Sequence, residues 1–188
     1  MSRLGGSRGY LRLAARSAVL LLAGTAVSVG EGNPSAVLRE GLASNVRIAD
    51  PFRAAAVRKA VLGAFDSLGD GKCQGIFSDF RDASGQTLQE KLDALGETGQ
   101  SYLSLMFFYE GSELPGCRSS KGQDMSAATT PGSRAVFICR STFSEGRRPK
   151  PFYPEAVIIH ETLHSLGLGE NPPTSDEITW RVFSRCAG

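Results

Sequence analysis

The sequence predicts an α+β protein in which several helices pack on a small twisted sheet. Segments with apolar residues at helical spacing alternate with short runs of β-branched and aromatic residues. Glycine, proline and N-capping residues mark sharp boundaries between these segments. The 188 residues, 41% of them hydrophobic, suit a single domain with its own core.

The N-terminal 26 residues have the pattern of a secretory signal peptide. They contain four arginines and no acidic residue, and an apolar run over 18–23 is followed by small residues. Cleavage is predicted after Ala26 or Ser28, with an uncleaved N-terminal anchor as the alternative. The apolar run is much shorter than the roughly 20 residues that a membrane-spanning helix needs. We therefore expect a single mature domain over 27–188, secreted or periplasmic.

Removal of this segment reverses the net charge. The whole chain has 21 basic and 19 acidic residues, and loss of the four N-terminal arginines leaves 17 basic residues against 19 acidic ones. A formal charge of −2 lacks the basic excess that nucleic acids and anionic membranes attract. Neither is therefore an expected partner, and the basic run over 147–150 is predicted to be a solvated loop. The sequence does not indicate an oligomeric state.

Four cysteines remain in the mature chain. An even number in an exported protein predicts two disulfides. Three pairings are possible, and the sequence does not choose among them. We expect Cys117 to pair with Cys139, stapling a turn region to a strand, and Cys73 to hold the C-terminal Cys186. A four-cysteine zinc site is the competing interpretation, but no two cysteines have the close spacing of such sites.

The secondary structure is predicted in chain order from the apolar spacing. Residues 33–48 are weakly helical. A helix over 51–68 begins with Asp50 as N-cap and Pro51 at its first position, and its apolar residues from Val57 onward form one face. Further predictions are a short strand over 74–80, a helix over 87–95 with Leu88, Leu92 and Leu95 inward, buried strands over 102–109 and 135–139, loops over 111–132 and 144–154, and a C-terminal helix from Thr174 to Arg185.

A helix over 154–166 carries the strongest functional signal. Apolar residues cover most of its circumference, so the helix should be buried. His160 and His164, the only histidines of the sequence, are one turn apart on the same face and can point at one metal ion. Glu161 stands beside them. The alternative, two surface histidines with a salt-bridging glutamate, fits poorly because a buried helix would leave them without partners.

These residues resemble the HExxH motif of the zincin metallopeptidases, whose helix supplies two histidine ligands and a general-base glutamate. The next residues resemble the extended metzincin pattern HExxHxxGxxH. Gly167 occupies the glycine position, and Glu170 stands where metzincins have the third histidine; a carboxylate is also a zinc ligand. No methionine follows, so there is no Met-turn. By analogy with gluzincins, Glu177 is the rival third ligand, although Thr174 and Glu177 also fit a capping box.

The resemblance implies hydrolysis of peptide bonds in a peptide or protein substrate. Zn²⁺ held by His160, His164 and Glu170 would lower the pKa of a water molecule, and Glu161 would accept its proton as general base. The resemblance also implies an edge strand that pairs with extended substrate, expected at 135–139.

The oxyanion-stabilising residue is less well specified. Tyr153, Tyr109 and Arg181 are the candidates, and the sequence does not rank them. Two other functions stay open: a zinc hydrolase of a non-peptide amide, such as a cell-wall component, and a non-catalytic exported domain in which the motif only holds metal or packs the helix. Glu161 separates catalysis from a structural zinc site, which would not need it.

Overall fold

The computed structural model describes residues 34–117, 125–139, 143 and 151–188. The predicted signal peptide over 1–26 and the predicted basic loop over 147–150 lie outside these residues. In the part of the chain that is described, no helix combines the length and the apolar character needed to cross a membrane.

The described residues form an α+β fold, as predicted. Its helices are α1 (Pro34–Ser44), α2 (Pro51–Ser67), α3 (Gly71–Gln74), α4 (Ile76–Asp79), α5 (Leu88–Leu95), α6 (Gly99–Leu103), α7 (Tyr153–Ser165) and α8 (Ser175–Cys186). Its strands are β1 (Val46–Arg47), β2 (Phe107–Glu110), β3 (Ala127–Thr129) and β4 (Ala135–Ile138), and a short 3₁₀ turn covers Pro115–Cys117.

The strands form one mixed sheet in the order β1-β2-β4-β3. β2 pairs in parallel with β1 and β4, whereas β3 runs antiparallel to β4. The prediction that 135–139 is an edge strand is therefore wrong, because β4 is paired on both sides. The sheet edge that contacts α7 is β3, a segment that the sequence analysis assigned to a loop.

One face of the sheet belongs to the core. Phe108 of β2 and Val136 and Ile138 of β4 are fully buried in a cluster that also contains apolar residues of α2 and α7. Phe107 and Tyr109 alternate with Phe108 and are 38% and 37% exposed on the other face. The sheet thus carries α7 on one side only.

Capping residues set the helix boundaries where the sequence placed them. Asp50 caps α2 by accepting a bond from the Arg53 amide at 2.8 Å. Thr87 of α5 and Thr174 of α8 each form a complete capping box with the glutamate three residues later. These three helix starts confirm the prediction, and Leu88 and Leu92 are buried as expected.

Three local predictions are wrong. Residues 74–80 are not a strand, because α3 and α4 occupy this region after Asp70 caps the Lys72 and Cys73 amides. The predicted strand over 102–109 begins only at Phe107, since its first residues lie in α6. Leu95 is 52% exposed and does not face the core.

The two disulfides have the expected pairing. One joins Cys117 to Cys139, and the other joins Cys73 to Cys186 across 113 residues. The second bond fastens the end of α8 to α3. Arg185 adds two hydrogen bonds, at 2.8 and 2.6 Å, to the carboxylate of Asp79 at the end of α4. Helix α8 is therefore anchored at its C-terminal end by one covalent bond and one bidentate ion pair.

Candidate metal centre

Helix α7 places both histidines at the edge of the core. It begins at Tyr153, one residue earlier than predicted, with Pro154 in its second position. All of its residues from Ala156 to Ser165 are buried, which confirms the predicted buried helix. The small exposed fractions that remain, 6% at His160 and 7% at His164, show that this polar face is only narrowly open to solvent.

The C-terminal end of α7 is a Schellman motif built on a glycine. Gly167 has a φ of +107°, its amide donates to His164 O at 2.8 Å, and the amide of Leu168 donates to Leu163 O at 3.1 Å. A residue with a side chain rarely adopts this backbone conformation. The motif stops the helix and reverses the chain, which returns Glu170 to the histidine face.

The reversal brings three donor atoms together. Glu170 Oε1 lies 3.3 Å from His164 Nε2 and 3.7 Å from His160 Nε2, and the two Nε2 atoms are 2.9 Å apart. Two donors of one tetrahedral zinc ion, each at about 2.0–2.1 Å from it, are roughly 3.3–3.4 Å apart. The three separations bracket this value. The cluster of His160, His164 and Glu170 could therefore hold a metal ion.

Both imidazoles are oriented through their other ring nitrogen. His164 Nδ1 lies 2.7 Å from the carbonyl oxygen of Leu168, the same residue whose amide caps α7. His160 Nδ1 lies 3.0 Å from Oγ1 of Thr179 on α8. Such contacts leave Nε2 of each ring free to face the site. Burial, reinforced by the neighbouring His164, lowers the pKa of His160 to about 3, which keeps this ring neutral as a metal ligand requires.

Glu161 is buried beside this cluster with an unsatisfied oxygen. Its side chain is 5% exposed, and Oε2 has no hydrogen-bond partner among the described residues. Burial raises the pKa of Glu161 to about 7; the Thr129 hydroxyl opposes this rise and the Glu170 carboxylate adds to it. The Thr129 hydroxyl lies close enough to affect this pKa, but it forms no hydrogen bond with Glu161 Oε2. Both of these buried oxygens therefore lack a hydrogen-bond partner among the described residues.

The rival ligand Glu177 is engaged elsewhere. Its Oε2 accepts bonds from the amide and hydroxyl of Thr174 at 2.8 and 2.9 Å, which completes the capping box of α8. These bonds, and the backbone bond most strongly, lower the pKa of the Glu177 carboxyl. The structure thus brings Glu170 to the histidines and places Glu177 in the helix cap.

The three oxyanion candidates occupy different places. Tyr109 stacks on Phe107 and packs at a tilt against Phe137, on the sheet face opposite the core, and so lies away from α7. Arg181 lies 3.9 Å from the Asp79 carboxylate. Tyr153 belongs to α7 itself, and its hydroxyl is 3.3 Å from the Ser126 hydroxyl just before β3. Of the three, only Tyr153 shares the helix of the two histidines and contacts the residue that leads into β3.

Two neighbours of the site were missed by the sequence analysis. Thr179 contacts His160 from α8, and Thr129 brings β3 next to Glu161. Neither residue belongs to a motif, and both reach the site through packing of distant segments. A partial signal existed for Thr179, because the Thr174 capping box fixes where α8 begins and hence which of its residues share a face.

Comparison of the chain with models of known families, with curated proteins and with solved structures finds no match.

Proposed function

We propose that this protein is an exported zinc-dependent metallopeptidase. The observation that carries the proposal is the convergence of three donor atoms at tetrahedral spacing beside a buried carboxylate with an unsatisfied oxygen. Two imidazoles and one carboxylate are a donor set that zinc accepts in catalytic sites. Held by these three residues, zinc would lower the pKa of a water molecule and polarise a carbonyl group as a Lewis acid.

We assign the proton transfer to Glu161. Its Oε2 is buried, has no hydrogen-bond partner among the described residues, and belongs to the residue next to the proposed ligand His160 on the same helix. A carboxylate in this position accepts a proton from water during attack on the carbonyl and can deliver it to the leaving nitrogen. A purely structural metal site has no use for such a group, because burying an unpartnered carboxylate costs stability.

We assign substrate binding to strand β3. It is a sheet edge, its residue Thr129 neighbours Glu161, and the amide of Gly132 in the following turn donates to His164 O at 3.1 Å. An extended peptide that pairs with the side of β3 to which none of the described strands is bonded would run alongside α7 and present its backbone to the site. Pairing through the backbone requires a polypeptide, which favours a peptide substrate over a non-peptide amide.

The experiment measures zinc content and peptide hydrolysis on the same proteins. We expect about one zinc per chain in wild type and in Glu177→Ala, and loss of zinc in Glu170→Ala. Glu177→Ala is the matched control: it removes the same side chain and costs only a helix cap, about 1 kcal/mol. Glu161→Gln should keep zinc and lose turnover of a mixed peptide library by at least about 10²-fold.

Each outcome has a defined meaning. Absence of zinc in folded wild type after incubation with zinc and dialysis would refute the metal centre. Full turnover by Glu161→Gln would refute the role assigned to Glu161. Zinc binding without hydrolysis of any peptide would refute the peptidase and leave a non-catalytic zinc domain.

A further inference from the structure

The two histidines of the cluster are held by different kinds of partner. His164 Nδ1 faces a backbone carbonyl, Leu168 O, at 2.7 Å. A carbonyl oxygen only accepts hydrogen bonds, so the neutral form of the His164 ring carries its proton on Nδ1 and a lone pair on Nε2. His160 Nδ1 faces the Thr179 hydroxyl at 3.0 Å, and a hydroxyl can donate or accept. Only His160 is therefore free to place its proton on either nitrogen.

The 2.9 Å separation of the two Nε2 atoms can be satisfied in two ways. In the first, His160 carries a proton on Nε2 and donates it to His164 Nε2, while the Thr179 hydroxyl donates to His160 Nδ1. In the second, a metal ion held by the cluster would take the lone pairs of both Nε2 atoms, and His160 would carry its proton on Nδ1 and donate it to Thr179. The change between them releases one proton from Nε2 to water and takes one from water at Nδ1, so the ring stays neutral.

We propose that Thr179 is the positioning residue of this metal centre, and that its rotatable hydroxyl partners His160 Nδ1 in both tautomers. The inference rests on the metal site of the proposed function. A carboxylate could only accept from Nδ1 and would favour one tautomer, whereas the hydroxyl serves as donor before loading and as acceptor afterwards. His160 is thereby held in the same place in both states.

Helix α8 is the rigid element that makes this positioning effective. The Cys73–Cys186 bond and the Arg185 contacts to Asp79 fix its C-terminal end, and the Thr174 capping box fixes its start. Ile178 and Val182, on either side of Thr179, are fully buried. The hydroxyl therefore approaches His160 from a helix that is fastened at its C-terminal end and buried along its apolar face.

The test replaces Thr179 and measures zinc affinity by competition with a chromophoric chelator. Thr179→Val keeps the shape of the side chain and removes the hydroxyl; we expect its dissociation constant for zinc to rise about 10–100-fold. Thr179→Ser restores a hydroxyl and should bind zinc nearly as wild type does. Ser184→Ala removes a hydroxyl of α8 that bonds to Arg181 O and should leave zinc affinity unchanged. Thr179→Ala replaces the valine variant if thermal unfolding shows that valine disturbs the fold.

The tautomers are read independently by ¹⁵N NMR of the imidazoles. In wild type we expect the His160 proton on Nε2 without metal and on Nδ1 with zinc, and His164 protonated on Nδ1 in both states. Tight zinc binding by folded Thr179→Val, failure of serine to rescue, or a His160 proton on Nδ1 in both states would overturn the inference. If wild type binds no zinc, the proposed metal centre fails with it. If zinc binding depends on the Thr179 hydroxyl but no peptide is cleaved, the peptidase activity is refuted and the role of Thr179 stands.

Discussion

Replacement of Gly167 by alanine tests whether the end of α7 builds the metal centre. Gly167 has a φ of +107°, and a Cβ atom there would lie 2.7 Å from Nζ of Lys91. Lys91 donates to Leu166 O at 3.0 Å and pairs with Asp82 at 2.6 Å, and its ammonium would have to move. Alanine should therefore disturb the turn that carries the Leu168 carbonyl and Glu170 to the histidines.

Gly96 provides a matched control at the end of α5. Its amide donates to Asp93 O at 3.1 Å, and the next amide donates to Leu92 O at 3.0 Å, which is the same pair of bonds as at the end of α7. Its φ is +69°, and a Cβ atom would meet nothing within 4 Å. The two glycines thus differ in their surroundings and share their local backbone role.

The expected magnitudes follow from these geometries. An alanine forced to positive φ costs about 1–2 kcal/mol, so Gly96→Ala should lower the melting temperature by about 3–8 °C. Gly167→Ala should lose at least as much stability and also weaken zinc binding by about 10²-fold, because one ligand and the partner of His164 Nδ1 both shift. The assays are thermal unfolding by circular dichroism and zinc competition. Equal zinc affinity in the two folded variants would refute the reasoning.

Three further predictions concern stability. The Lys91 ammonium, together with Ser84 and nearby amides, holds the pKa of Asp82 far below its usual value. The ionised carboxylate therefore stabilises the fold fully above about pH 4, and this stabilisation is lost as the pH falls further. The melting temperatures of wild type and Asp82→Asn should accordingly converge in acid. The double variant Cys73→Ser, Cys186→Ser lacks one disulfide and should lose about 4–5 kcal/mol of unfolding free energy, as expected for a separation of 113 residues. Denaturant unfolding measures this loss. A loss smaller than that caused by removing the Cys117–Cys139 disulfide, whose separation is 22 residues, would contradict the loop argument. Zinc at 100 times its dissociation constant should add about 2.7 kcal/mol, and chelation should reverse this shift in melting temperature.

The sequence predicted most of what lies within one helix and its cap. His160, Glu161, His164 and Glu170 belong to one short stretch, and the Gly167 turn relates the last of them to the others by local backbone geometry. The capping patterns worked for the same reason, since a side chain reaches an amide two or three residues away.

The failures lie where pairing between distant segments decides the outcome. A short apolar run such as 74–80 is compatible with strand or helix, and the Asp70 cap and the Cys73 disulfide select helix. The order of strands depends on partners far apart in the chain, so the interior place of β4 and the edge position of β3 left no local trace. Thr179 was missed for the same reason.

Leu168 is used twice, once at the end of α7 and once at the His164 ring. Its amide ends α7 and its carbonyl orients His164, so hydrogen bonds of the chain itself set the ring in place. A zinc finger, in contrast, is unfolded until metal organises its ligands. Here the chain's own hydrogen bonds hold His164, so we expect the domain to stay folded when the ion of the proposed metal centre is removed by a chelator.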